Sequence, residues 1–229
     1  MPKTPKRSES VDDFIKAVYS LQQENDRVST NTLRDTLEIT APSVTDMAQR
    51  LVKDGLVDYQ KYGGVILTPE GEAMAIKIIR RHRLIELYLV RELGYELYEV
   101  HGEAERLEHA VSERFVESLA GKLGDPEFDP HGDPIPTVDG TFAQRELLPL
   151  SALPPGAQGT VARLKGTNAE MIQHIIDRGF QLNSDICVLA KDPFDGPITA
   201  RVDGEARVIG HQVAESIFVQ LAETAEPQP

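Results

Sequence analysis

The sequence predicts an α+β chain in three parts. These are a winged helix-turn-helix over residues 1–75, a helical segment over 76–140 ending in a proline-rich linker, and a small β-barrel over 141–229. Three observations predict it. Amphipathic helices and tight turns fill the first third and close on a hairpin signal. Pro126, Pro130, Pro134 and Pro136 crowd residues 124–140. After them the chain reads as short β segments separated by turn residues, the spacing of a small barrel.

Each element has a local reason. Residues 2–8 (PKTPKRS) read as a disordered basic arm. Ser10 opens a helix from about Val11 to Gln23, with Phe14, Ile15, Val18 and Leu21 on one side. Glu24-Asn25-Asp26 forms a turn, and Ser29 or Thr30 caps a short helix, TNTLRDTLEI. Thr40 caps a third helix; Pro42 falls in its first turn, where a missing N–H does no harm, and Gly55 stops it. LVDYQKYGGVILT gives two β runs around Lys61-Tyr62-Gly63-Gly64. Thr68-Pro69-Glu70 starts a long helix to about Leu93, and one further helix spans about Val100 to Leu123. Residues 124–140 form an interdomain linker. GTVARL, DICVLAK, ITARV, EARVIG and SIFVQLA then read as strands, interrupted by a helix near Ala169–Asp177.

The 229 residues carry 24 Lys+Arg and 37 Asp+Glu, a net charge of −13. No apolar run approaches the ~18 residues of a membrane span. The first residues lack the apolar core of a signal peptide. The single cysteine, Cys187, cannot form an internal disulfide, which fits a reducing, cytoplasmic setting. The acidity is uneven. Residues 1–83 hold 13 basic and 12 acidic residues, 84–144 hold 4 and 14, and 145–229 hold 7 and 11. The first third is therefore nearly neutral, and a nucleic-acid role is not excluded there.

Helix, short helix, turn, helix and hairpin is the order of a winged helix-turn-helix, whose second paired helix enters the major groove. Thr40, Ala41, Pro42, Ser43 and Thr45 sit at the start of that helix, small enough for close approach and thymine-methyl contacts. Gln49, Arg50 and Lys53 follow within reach of bases or phosphates. Thr30 opens the preceding helix, Lys61 and Tyr62 mark the wing tip, and Lys3, Lys6 and Arg7 add arm contacts. Asp46 counts against DNA contact unless it faces away. A small helical domain with a capped third helix fits the same pattern.

His101, Glu105, Glu108 and His109 fall within a sector of ~100° on one predicted helix, at ~100° per residue. His82 and Glu86, one turn apart, form a second pair. Imidazole with carboxylate suits Mn, Fe(II), Co or Zn. A solvated acidic face also accounts for a run such as HGEAERLEH. His131, His174 and His211 read as plain surface residues.

Both readings meet in one arrangement. Over nearly its full length the chain resembles the diphtheria toxin repressor family of metal-dependent transcriptional regulators, in its three-domain, manganese-responsive form. The resemblance rests on VDDFIKAVYSL, TAPSVTDMAQRLVKDGLV, YGGVILTPEGEAMA, RRHRLIELYL, VHGEAERLEHAVSE and PHGDPIP. It implies a homodimer on double-stranded operator DNA, a helical metal-binding and dimerisation domain, and an SH3-like (FeoA-like) third domain. Two metal sites per subunit follow from it. The primary-site positions match Asp13, Glu105, Glu108 and His109. The ancillary positions match His82, Glu86 and His101, with Glu170 and Gln173 as third-domain candidates. Iron-responsive relatives place Met and Cys where this chain has Asp13 and Glu105. Two hard carboxylates there favour Mn(II), with Fe(II) as the alternative. That branch often carries another acid one turn after Asp13; Lys16 departs from this.

Two other classes remain open at this point. A di-metal enzyme would use the same acids, but no Glu-x-x-His, HExxH, P-loop or GxSxG occurs. A winged-helix regulator of a small organic ligand would leave the His/Glu cluster structural.

Overall fold

The apolar periodicity of the first third folds as three helices and a hairpin. The computed structural model describes residues 9–166 and 168–222. The chain divides into two units: residues 1–82 with 136–141, and residues 83–135 with 142–229. Lys3, Lys6 and Arg7 lie outside the described residues.

The first unit contains α1 (Glu9–Gln22), α2 (Thr30–Leu37), α3 (Ala41–Lys53), β1 (Val57–Gln60), β2 (Gly64–Leu67) and the start of α4 (Pro69–Leu93). Ser29 is the cap of α2, its side chain accepting from the Thr32 N–H at 3.0 Å. Thr40 caps α3 by accepting from the Ser43 N–H at 3.3 Å. Each such cap contributes about 1 kcal/mol. Phe14, Ile15 and Val18 of α1 meet Leu33 of α2, Val44, Ala48 and Leu51 of α3, and Val65 of β2 in one core. Full burial of each large side chain is worth about 1.5–3 kcal/mol. β1 and β2 pair antiparallel from Val57 opposite Leu67 to Gln60 opposite Gly64. Val28 adds a bridge to Val65, with both N–H···O bonds at 2.8 Å. Gly64 is required there: its φ is +87° and a Cβ would lie 2.5 Å from the Val28 carbonyl oxygen.

The second unit holds the rest of α4, then α5 (Val100–Glu108), α6 (Glu113–Leu123) and a six-stranded antiparallel sheet. The single helix expected over Val100–Leu123 is two. Ser112 starts α6 by accepting from the Phe115 N–H at 3.3 Å, and the Ala110 N–H folds back onto the Leu107 carbonyl at 2.9 Å. Leu84, Leu87, Val116, Ala120, Leu123 and Ile135 form one core beside these helices; Ile85, Leu89, Val100, Ala104 and Leu119 form another. Among the apolar residues of these helices, Leu93 and Phe115 stay 56% and 45% exposed.

The residues after α6 do not behave as a simple linker. Asp129, His131 and Ile135 are buried there, and Phe128 bridges Pro134. The sheet comprises β3 (Leu148–Pro149), β4 (Gln158–Leu164), β5 (Asp185–Lys191), β6 (Ile198–Val202), β7 (Glu205–Ile209) and β8 (Ile217–Leu221). Its order is β3-β8-β4-β5-β6-β7, and bulges in β4 and β5 bend it. Helix α7 (Ala169–Asp177) gives Ile172 and Ile175 to its core, with Phe180, Ile198 and Val219. No helix among the described residues is long and apolar enough to cross a membrane.

Candidate metal centre and nucleic-acid interface

Helix α5 places Glu105 and Glu108 three residues apart on one face, and its end leaves His109 just beyond the last turn. Each of these three residues offers a donor atom within 4.8 Å of the others. Glu108 is fully buried, and His109 Nε2 lies 3.7 Å from its carboxylate. Donors that share one ion at about 2.0–2.2 Å stand at most about 4.4 Å apart, so small side-chain rotations suffice. Two carboxylates held this close repel one another, and burial raises the cost of charge. A divalent cation answers both, and hard oxygen with one imidazole is a donor set it accepts. Asp13 stands half-buried on α1 in the first unit.

A second group forms around Glu86 of α4, which is 3% exposed. His101 at the start of α5 brings its Nδ1 to 3.1 Å from Glu86 Oε1. His82 is buried one turn before Glu86 on the same helix. The one sector expected over His101–His109 is therefore divided: His101 faces Glu86, while Glu105, Glu108 and His109 make their own group. Glu170 is exposed in the first turn of α7 and belongs to neither group of acids and histidines among the described residues. Gln173 donates its side-chain amide to Asp177 at 2.6 Å.

The proposed reading helix is α3. Val44, Ala48 and Leu51 turn into the core, leaving Pro42, Ser43, Asp46, Gln49, Arg50 and Lys53 exposed. Ala41 and Thr45 are half-buried, and the Thr45 hydroxyl donates to the Ala41 carbonyl at 3.1 Å. Thr40 and Ser43 share a hydroxyl contact of 2.9 Å at the helix start, and Thr30 is half-buried as the first residue of α2. At the wing tip Tyr62 is 96% exposed with φ +68°, and Lys61 Nζ lies 5.2 Å from its ring centre. These exposed residues include cations suited to phosphates and small polar groups suited to base edges. Asp46 shares this exposed face.

Three residues beside these elements went unread in the sequence. Arg27 clamps the wing: Nε donates to the Gly63 carbonyl at 3.1 Å, Nη2 to Gly64 and Asp58 carbonyls at 3.2 Å, and Nη1 to the Asp58 carboxylate at 3.0 Å. Its side chain converges from a turn far away in sequence, which no local pattern reveals. His131, expected on the surface, is 6% exposed with Nε2 4.0 Å from Glu86 Oε1. Asp129 is buried beside it. Burial above all, then the charges of Asp133 and Glu86, push the Asp129 carboxyl well above its ordinary range, and Arg83 partly offsets them. A histidine between prolines was the only hint.

Comparison with known proteins covers most of the chain. Residues 6–65 match the family described as iron dependent repressor, N-terminal DNA binding domain. Residues 68–137 match its metal binding and dimerisation domain, and residues 148–221 match the FeoA domain. The iron-dependent repressor IdeR of Mycobacterium leprae is 29% identical over 220 residues, 90% of this chain and 95% of that protein. Among solved structures, a manganese-dependent transcriptional repressor in complex with manganese is 38% identical, with a TM-score of 0.84, covering 93% of this chain and all of that one. The manganese regulator SloR is 30% identical with a TM-score of 0.73, covering 93% of this chain and 98% of that one.

Proposed function

The chain belongs to the iron-dependent repressor family, the diphtheria toxin repressor family of metal-dependent transcriptional regulators, and from that premise we propose that Mn(II) is its effector. In this reading Mn(II) orders a homodimer for operator DNA and so controls genes of metal uptake and homeostasis. The observation that carries the choice of metal is the donor chemistry. Glu105, Glu108 and His109 converge with oxygen and imidazole nitrogen only, and the only cysteine, Cys187, lies in β5. Hard carboxylates favour Mn(II) over thiolate-seeking metals. The family pattern supplies Asp13 as the fourth donor. Glu86, His101 and His82 are proposed as the second site of each subunit. The similarity to IdeR favours Fe(II) as the alternative effector.

The mechanism follows from charge. A bound divalent cation supplies positive charge that offsets the clustered carboxylates. Without it, the carboxylates of Glu105 and Glu108 would repel one another. In the family pattern Asp13 would be a further donor to that cation, and α3 would carry Gln49, Arg50 and Lys53 to the major groove. Two such helices in a dimer read two half-sites of a palindrome. The coupling is limited to the difference in metal affinity of the two states, typically ~1–3 kcal/mol.

The test is operator binding at fixed salt, titrated with Mn(II), Fe(II), Co(II) and Zn(II) in turn, because salt alone shifts affinity strongly. Mn(II) should activate at the lowest free concentration. Asp13→Ala and Glu105→Ala should each abolish the metal response. A variant that bound operator as metal-responsively as the parent would overturn the mechanism.

A further inference from the structure

The outward face of α3 carries one residue that DNA phosphates repel. Val44, Ala48 and Leu51 are buried in the core. With Val44 set as the origin and ~100° per residue, Ala48 points to about 40° and Leu51 to about 340°. On the same scale Gln49 points to about 140°, Pro42 to about 160°, Lys53 to about 180° and Asp46 to about 200°. These four side chains are exposed. Asp46 therefore faces directly away from the core, and any groove that receives this face meets its carboxylate. Its neighbours are engaged elsewhere. The Thr45 hydroxyl donates to the Ala41 carbonyl at 3.1 Å, and the hydroxyls of Thr40 and Ser43 lie 2.9 Å apart. Arg50, one turn after Asp46, brings Nη2 to 2.9 Å from Met47 Sδ rather than to the carboxylate. Among the described residues, no side-chain hydrogen bond or ion pair engages Asp46.

A carboxylate only accepts hydrogen bonds. In the major groove guanine presents acceptors at N7 and O6, and thymine an acceptor at O4. Adenine sets its N6 amino donor beside an acceptor at N7. Cytosine presents an amino donor at N4 with no acceptor of its own beside it. We propose that Asp46 is a specificity-determining residue, its carboxylate accepting from the 4-amino group of one cytosine in each half-site. The inference rests on α3 being the reading helix, and deepens that reading by naming a base. Its charge acts mainly by exclusion. A site without the amino group leaves the carboxylate desolvated against acceptors, so wrong sequences are penalised. Lys53, two turns on along the same stripe, supplies charge for phosphate and hence affinity without sequence information.

The test uses the full chain with Mn(II), at fixed salt, and a library of random DNA duplexes whose bound fraction is sequenced after several rounds. The parent should enrich cytosine at one position of each half-site. Asp46→Asn offers donor and acceptor in the same shape and should shift that position to adenine. Asp46→Ala should lose the preference there and keep the rest of the motif. In the enriched operator, replacing the amino group of that cytosine by hydrogen should weaken the parent about 5–100-fold and Asp46→Ala less than about twofold. The variant thus controls for the weakened base pair. Asp46→Ala should also bind random-sequence DNA more tightly than the parent, because a charge that phosphates repel is gone. If either variant proves unfolded, the amino-group replacement on the parent decides. A motif unchanged by Asp46→Ala, or a parent indifferent to loss of the amino group, would overturn the inference and leave the operator reading intact. A parent that enriches no motif would overturn both.

Discussion

Replacing Gly71 by Ala should destabilise the protein, against the ordinary preference of helices. Gly71 lies in the first turn of α4. Within a helix Gly→Ala usually gains about 1 kcal/mol. At Gly71, however, a Cβ would lie 2.0 Å from the Leu56 carbonyl oxygen, 3.0 Å from its carbon and 3.3 Å from Leu67 Cδ2. Ordinary contact begins at 3.4 Å, so the backbone must part by more than an ångström. That oxygen also accepts from the Thr68 N–H at 3.1 Å, and Thr68 Oγ1 donates to the Gly55 carbonyl at 2.7 Å. The strain therefore falls on the hydrogen bonds that join the end of α3, the hairpin and α4. Overpacking costs typically about 1–3 kcal/mol and a weakened hydrogen bond about 1 more. The net expectation is a loss of about 1–3 kcal/mol. Gly102 in α5 and Gly121 in α6 are the controls, since nothing lies within 4 Å of a Cβ at either. Ala there should stabilise by about 0.5–1 kcal/mol. Urea unfolding of the metal-free proteins, followed by circular dichroism, measures all three. A Gly71→Ala variant as stable as Gly102→Ala would refute the close approach and the reasoning from it.

Other expectations concern the site and the wing. Glu108→Gln keeps the shape of a fully buried side chain but removes its charge. The thermal stabilisation by Mn(II), about 2.7 kcal/mol at a hundredfold excess over Kd, should fall sharply for the class of site that includes Glu105 and His109. Arg27→Ala removes the four hydrogen bonds that clamp the hairpin; operator affinity should drop several-fold and amide exchange at Gly63 and Gly64 should rise, with α4 unaffected. The Asp129 carboxyl is raised above its ordinary value of 3.8 chiefly by burial. A raised carboxyl contributes stability that is present below the unfolded value and lost as pH rises through the folded one. Asp129→Asn keeps the acceptor for the His131 and Asp133 amides, so metal-free stability should depend less on pH above 3.8 than in the parent, as a urea series across pH would show. Lys53→Ala should lower operator affinity for all sequences alike and reduce the salt slope by about one.

The first third was legible because its information is local. Phe14, Ile15 and Val18 recur at helical spacing, Ser29 and Thr40 are caps, and Pro42 fits only a first turn; each constraint acts within a few residues. The break at His109–Ser112 was missed although Ser112 is a good cap, because apolar Leu107, Val111, Phe115 and Leu119 continue one helical period across it. Within α5, Glu105, Glu108 and His109 could be grouped from the sequence, since rise and rotation per residue are fixed once a helix exists.

What the sequence determined by itself was whatever one element's geometry dictates: the helices, the hairpin, the donor face of α5 and the His82–Glu86 pair. The tertiary structure alone decided which elements face each other. It divided His101 from its helix neighbours and gave it to Glu86. It turned a proline-rich stretch into a buried turn, bringing His131 to the same carboxylate and tying its carbonyl to Leu164. It also sent Arg27 to the wing. The reason is physical. Periodicity fixes directions within a helix or strand, but a contact between distant segments exists only once burial and backbone hydrogen bonding have packed them together.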